Sequence, residues 1–222
     1  MKIDILTLFP KMCEEVLNTS IIGRAREAGL VEISCHNIRD FTDNKHRQVD
    51  DAPYGGGTGM IIQAEPVYMS YMHLEGKPHL IYMTPQGKPL TQDKIKELSK
   101  IENIAILCGH YEGIDERVIE ELEPEEISIG DYVLTGGELP ALVLIDAICR
   151  MIPGVLRNEE AYQNESHYDG LLEYPQYTRP LEWHGRKVPE VLLSGHHENI
   201  AKWQKKEAIK RTKLKRPDLL KD

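Results

Sequence analysis

A chain of 222 residues, 41% hydrophobic and 28% charged, has room for one substantial α/β core and a small appendage. Its net charge of −9 excludes a protein that coats nucleic acid indiscriminately, because such binding rests on phosphate neutralisation by Lys and Arg. Four widely spaced cysteines without a C-x-x-C pair argue for reduced thiols rather than a disulfide frame or a zinc site, and an N-terminus interrupted by Asp4 lacks the pattern of a signal peptide, so a cytoplasmic location is expected.

The first element, IDILTLF, reads as a strand, and a helix from Ile21 to Ala28, closed by Gly29, follows it. After a second strand around Ile33 (VEISC) comes a polar stretch, RDFTDNKHRQVDDAPYGGG, with Arg39, Lys45, His46, Arg47, Asp50 and Asp51. It ends in the glycine-rich YGGGTGM, a loop costly to order and retained in compact domains mainly when it binds something. The strand HLIYM leads into TPQGKP, read as a turn, then a helix from Gln92 to Ser99 capped by Thr91. The strand NIAILC leads into CGHYEG and a helix from Asp115 to Leu122; the strand EEISI leads into IGDYVLTGGELP and a helix from Glu138 to Met151. Short apolar strands alternating with helices imply α/β architecture with a mostly parallel sheet. The longest apolar region, Leu139 to Leu156, is broken by Asp146, Arg150 and Pro153 and cannot span a membrane. PGVLRNEEAYQNESHYDG has no sustained period and reads as a mobile linker, giving domains at 1–156, a linker at 157–170 and a small, mainly helical unit at 171–222. Residues 200–222 carry nine Lys and Arg against three Asp and Glu, a segment suited to a polyanion; a lone Lys-rich helix also reads as a solvated face.

In an open parallel sheet, the turns after the strands gather where ligands bind, so TPQGKP, CGHYEG and IGDYVLTGGELP propose one pocket. Glycine lets the backbone approach a flat ring and present N–H and C=O groups to the polar edge of an adenine. Neither G-x-x-x-x-G-K-[ST] nor a complete G-x-G-x-x-G is present, which argues against a triphosphate cradle or an ordinary dinucleotide fold.

Taken together, HRQVDDAPYGGGTGM, IYMTPQGKPL, LCGHYEGIDERV, SIGDYVLTGGELPALVLIDAICRMIPGVL and GLLEYPQYTRP closely resemble the bacterial tRNA (guanine-37-N1)-methyltransferases of the SPOUT superfamily. The resemblance runs from the first strand through LLSGHH. It implies a deep trefoil knot, against the ordinary expectation of an unknotted chain, with S-adenosylmethionine bent inside it. Carried over by motif, the cofactor contacts are Met83, Thr84 and Pro85; Gly109, Tyr111, Glu112 and Gly113; and Ile129, Gly130, Asp131, Tyr132, Val133, Leu134, Gly136, Gly137 and Pro140. RNA contact is expected from His46, Asp50, Tyr54, Gly55, Gly56 and Gly57. The resemblance also implies a homodimer with active sites at the subunit interface, a C-terminal helical domain that helps grip tRNA, and magnesium dependence, although no all-protein metal cage is visible in the sequence.

The implied reaction places a methyl group on N1 of guanosine 37, beside the anticodon. N1 carries a proton at neutral pH, so a base must remove it while charge builds on O6. The family's arginine matches Arg150, and its aspartate aligns with Glu165 in QNESH, one methylene longer; Asp169 is the second candidate for the base. Two further departures are Thr58 where proline is usual, expected to loosen the glycine-rich loop, and a chain closing early at RPDLLKD, expected to reduce the C-terminal domain. The rival readings are a nucleotide-dependent ligase or kinase, which needs a triphosphate cradle, and a catalytically silent tRNA-binding module, favoured if the glutamate disables the base.

Overall fold

Alternating apolar side chains build the central sheet, because successive residues of a strand face opposite sides. In β6 (Asn103–Cys108) Ile104, Ile106 and Cys108 join one buried cluster while Ala105 and Leu107 join another, so this strand is covered on both faces. The same division holds in β1 (Lys2–Thr7), with Ile3 and Ile5 on one side and Leu6 on the other. The computed structural model describes residues 1–157, 162 and 165–220. Within them, β1, β2 (Glu32–Asn37), β5 (His79–Pro89), β6 and β7 (Glu125–Ser128) form a five-stranded sheet in the order β2-β1-β6-β5-β7, every neighbouring pair parallel.

Helices cover both faces, as a wholly parallel sheet requires. Residues of α1 (Pro10–Leu17), α2 (Ser20–Glu27), α4 (Gln92–Leu98) and α6 (Glu138–Cys149) enter the first cluster; Val67 of α3 (Ala64–Met72) and Val118 and Ile119 of α5 (Glu116–Leu122) enter the second. Thr91 caps α4 by accepting from the Lys94 N–H at 3.3 Å, and Asp115 caps α5 by accepting from the Arg117 N–H at 3.0 Å. A two-residue pairing of β3 (Asp50–Asp51) with β4 (Ile61–Ile62) closes the stem of the glycine-rich loop.

TPQGKP is not the turn expected. β5 continues through it to Pro89, and its pairing with β7 shifts register between Met83 and Lys88. Gly87 explains the geometry: a Cβ there would lie 2.4 Å from the Ile127 nitrogen, so only glycine lets the two backbones pass this closely.

The chain divides into two compact units, Met1–Arg157 and Asn158–Asp222. In the second, α7 (His197–Lys215) is tied to the preceding segment through buried Thr212, whose Oγ1 accepts from the Leu172 N–H at 2.9 Å and donates to the Ala208 carbonyl at 2.7 Å. The same unit holds a tight hairpin, β8 (Glu182–Trp183) with β9 (Arg186–Lys187). Of the expected linker, residues 158–161, 163 and 164 lie outside the described residues. Among the described residues, no helix is long and apolar enough to cross a membrane.

Candidate active site

The middle of β5 (residues 82–86) and the carboxyl ends of β6 and β7 meet at one pocket of about 310 Å³, lined by residues 82–86, 109–114, 126–130 and 132–137 with Pro140 from α6 and Glu116 and Ile119 from α5. Three segments distant in sequence meet there because their strands are adjacent in the sheet. Backbone hydrogen bonds lock the second segment to the third: the Gly137 N–H donates to the Gly109 carbonyl at 2.8 Å, and His110 bridges to Gly136. Ser128 holds the start of the third, its Oγ accepting from the Gly130 N–H at 3.1 Å and donating to the Gly130 carbonyl at 3.0 Å.

Of the sixteen cofactor-binding residues expected, all line the pocket except Asp131, which is exposed; the lining passes from Gly130 to Tyr132 without it. The structure adds Tyr82, Gln86, His110, Glu116 and Glu126. Glu116 and Ile119, one helical turn apart on α5, had a legible spacing in GIDERVI. Burial pushes the Tyr82 phenol up to about 12, so it remains a neutral hydroxyl at the pocket wall. Beneath the third segment, the buried Glu138 accepts from the Thr7 hydroxyl at 2.7 Å, and its other oxygen faces the buried Nδ1 of His110 at 3.9 Å, a nitrogen with no hydrogen bond among the described residues.

Charge discriminates between possible ligands. Glu112, Glu116 and Glu126 are among the residues lining the pocket, and among the described residues no Lys or Arg joins them. A triphosphate finds nothing there to neutralise it, whereas a ligand carrying positive charge at one end does. Ile114, Ile119, Ile127, Ile129 and Leu134 supply apolar surface, and the glycines leave backbone groups accessible. The residues present therefore fit S-adenosylmethionine, with its sulfonium, ammonium and flat adenine. Among the described residues no group of three or more His, Cys, Asp or Glu side chains is placed to hold a metal ion.

The glycine-rich loop begins at the pocket wall. The Glu112 N–H donates to the Met60 carbonyl at 3.0 Å, and Ile62 exchanges backbone bonds with Gly113 and Asp115 at 3.0 and 2.9 Å. Arg39 reaches across to the Tyr111 hydroxyl at 3.2 Å and lies 4.0 Å from the Asp50 carboxylate. Tyr54 is 99% exposed, and Gly55, Gly56 and Gly57 all have positive φ in an exposed loop tip. His46 is exposed on the same segment. The candidates for RNA contact thus lie on a loop whose stem is laced to the second pocket segment.

Arg150 and Glu165 are placed differently. Arg150 is the C-cap of α6, at the opposite end from Gly137; twelve helical residues put it about 18 Å along the axis. Glu165 belongs to the second unit, where its N–H donates to the Tyr162 carbonyl at 3.2 Å; Asp169 is exposed in that unit. The proposed base and the proposed O6 partner are therefore not drawn together with the pocket inside the first unit.

Residues 1–222 match the family described as tRNA (Guanine-1)-methyltransferase TrmD. The chain is 60% identical to the tRNA (guanine-N(1)-)-methyltransferase of Ruminiclostridium cellulolyticum, over 99% of this chain and 96% of that protein. It is 55% identical to the protein of the same name from Lachnospira eligens, over 99% and 94%, and 53% identical to that of Clostridioides difficile, over 100% and 98%.

Proposed function

The chain belongs to the tRNA (guanine-1)-methyltransferase TrmD family, and from that premise we propose that it transfers a methyl group from S-adenosylmethionine to N1 of guanosine 37 in tRNA. The observation that carries this reading is the coincidence of two independent lines. The segments bearing the family resemblance are the segments that converge on a carboxylate-lined pocket without Lys or Arg. S-adenosylmethionine, when bound, supplies an electrophilic methyl group on a sulfonium that is already a good leaving group.

The protein's own work is binding, orientation and proton management. Met83, Thr84, Pro85, Ile129, Gly130, Tyr132, Val133 and Leu134 would hold the adenosine end, and the negative charge of Glu112, Glu116 and Glu126 would favour the cationic end. Glu165 removes the N1 proton of guanine, with Asp169 as the alternative, and Arg150 stabilises the charge that develops on O6. The glycine-rich loop, with His46, Asp50, Tyr54 and Gly55 to Gly57, receives the RNA beside the pocket, and the basic face of α7 binds its backbone. No step of this reading passes through magnesium. A trefoil knot is the topology the family implies, and the close backbone crossings at Gly87 and Gly137 suit it. Work on tRNA also fits the cytoplasmic location expected from the sequence.

The site is best read as shared between two copies of the chain. Arg150 is a helix length from its own pocket, so a second copy offers the route by which an arginine reaches it. Exposed Phe9, Met12 and Val16 at the start of the chain, with Leu139 and Val143 on α6, give these packed helices an apolar surface for that partner. Incubating unmodified tRNA with S-adenosylmethionine and analysing the nucleosides by mass spectrometry tests the reaction. N1-methylguanosine at position 37 is the expected product; tRNA bound but unmethylated identifies a silent binding module instead.

A further inference from the structure

The β8–β9 hairpin lies outside the segments that line the pocket and outside α7. Its turn residues, His184 and Gly185, both have positive φ, 50° and 74°, the conformation that matches the twist of a tight two-residue hairpin. Register pairs Glu182 with Lys187 and Trp183 with Arg186, and the Val188 N–H donates to the Leu181 carbonyl at 3.0 Å, extending the ladder. Cross-strand partners share a face and alternate residues switch faces. One face therefore carries the Glu182–Lys187 pair, 3.9 Å apart. The other carries Leu181, Trp183, Arg186 and Val188.

That second face is open. Trp183 is 61% exposed and Leu181 is 62% exposed, an unusual way to leave a large indole. The His184 ring stands edge-on to Trp183 at 4.4 Å and 89°, bracing it from one side. The sequence segment that holds the hairpin and α7 is cationic although the chain as a whole is acidic: residues 179–216 hold eleven Lys and Arg against four Asp and Glu. An exposed indole with a guanidinium directly across the ladder, in a basic segment, is complementary to a nucleobase with its adjoining phosphate.

We propose that Trp183 is a stacking platform for an unpaired nucleobase of the tRNA, with Arg186 holding the neighbouring phosphate. This rests on the reading of the chain as a tRNA methyltransferase and adds a contact that the active-site pocket does not make. The chain has two tryptophans, so Trp203→Phe, which keeps a ring beside Tyr177, leaves Trp183 as the only indole reporter in the full-length protein. Titration with unmodified tRNA transcript is expected to quench its emission, less so as salt rises. Trp183→Ala should raise KM for tRNA roughly 5- to 100-fold, the range for one lost base stack, with kcat and S-adenosylmethionine affinity unchanged and Trp183→Phe restoring most of the loss. Arg186→Ala should weaken binding and reduce the salt slope by about one.

Unquenched emission at saturating tRNA, or a wild-type KM in Trp183→Ala, overturns the platform even when methylation is normal. Blue-shifted emission that depends on protein concentration without RNA also overturns it, because the face is then covered by a second copy. Quenching by tRNA in a protein that methylates nothing upholds the platform and removes the proposed reaction.

Discussion

Gly137→Ala tests whether the pocket depends on the close contact between the start of α6 and the end of β6. The new Cβ would lie 2.8 Å from the Cys108 Cα and 3.0 Å from the Gly109 nitrogen. Both are backbone atoms at the end of a central strand, and Cys108 is fully buried, so no flexible side chain can swing aside. Either α6 lifts or β6 bends by several tenths of an ångström, straining the 2.8 Å bond from the Gly137 N–H to the Gly109 carbonyl. Overpacking of this kind costs about 1–3 kcal/mol, which for a chain of this size lowers Tm by roughly 2–12 °C. Because Gly109, Gly136 and Gly137 line the pocket, S-adenosylmethionine affinity should fall as well, about tenfold for each ~1.4 kcal/mol of strain borne by the bound state. Gly76→Ala is the control: φ there is +74° with nothing within 4 Å of the added carbon, so it loses stability through backbone strain alone. Thermal unfolding and calorimetric titration of both variants separate the effects. Unchanged affinity in Gly137→Ala, or an equal affinity loss in Gly76→Ala, refutes the reasoning.

Glu165→Gln should slow methyl transfer by about 10²- to 10⁴-fold while preserving cofactor affinity; near-normal turnover there, with an inactive Asp169→Asn, assigns the base to Asp169. After subunit exchange, a cofactor-dead Gly137→Val chain mixed with a base-dead Glu165→Gln chain should regain activity, since a heterodimer holds one sound pocket and one sound base from opposite chains. Complete inactivity with heterodimers verified by native mass spectrometry excludes a site shared in this way. Glu14 accepts a 2.9 Å hydrogen bond from Arg26, which holds its carboxyl below the usual 4.5. The depressed folded value gives stability that is present above 4.5 and lost as pH falls through it. Glu14→Gln should therefore lower stability at pH 7 by about 1 kcal/mol or less, given the solvent exposure of the pair, and the gap in Tm should close at acidic pH; a gap undiminished at pH 3 counts against the pairing.

The five sheet strands were legible because two-faced burial leaves short apolar runs with turn residues at their ends, and Thr91 marked the start of α4 through its capping oxygen. α1 and α3 were not legible. In α1 the buried pair Cys13 and Leu17 is mixed with the exposed apolar Met12 and Val16, and α3 is apolar around much of its circumference with Pro66 in its first turn. TPQGKP shows the same limit from the other side. Its Gly and Pro read as punctuation, whereas Gly87 is there to let β5 cross the backbone of β7.

Sequence by itself determined the α/β class, the pocket's three segments and the family, since these depend on local periodicity and on long ordered motifs. It also singled out Glu165 as one methylene longer than the family's aspartate. Tertiary structure alone decided the strand order β2-β1-β6-β5-β7, which makes three distant segments neighbours, and the place in the pocket lining of Glu126, which lies on β7 ahead of the third segment. The physical reason is common to both: periodicity reports which face of an element is buried, whereas neighbours across a sheet are fixed by how whole elements pack.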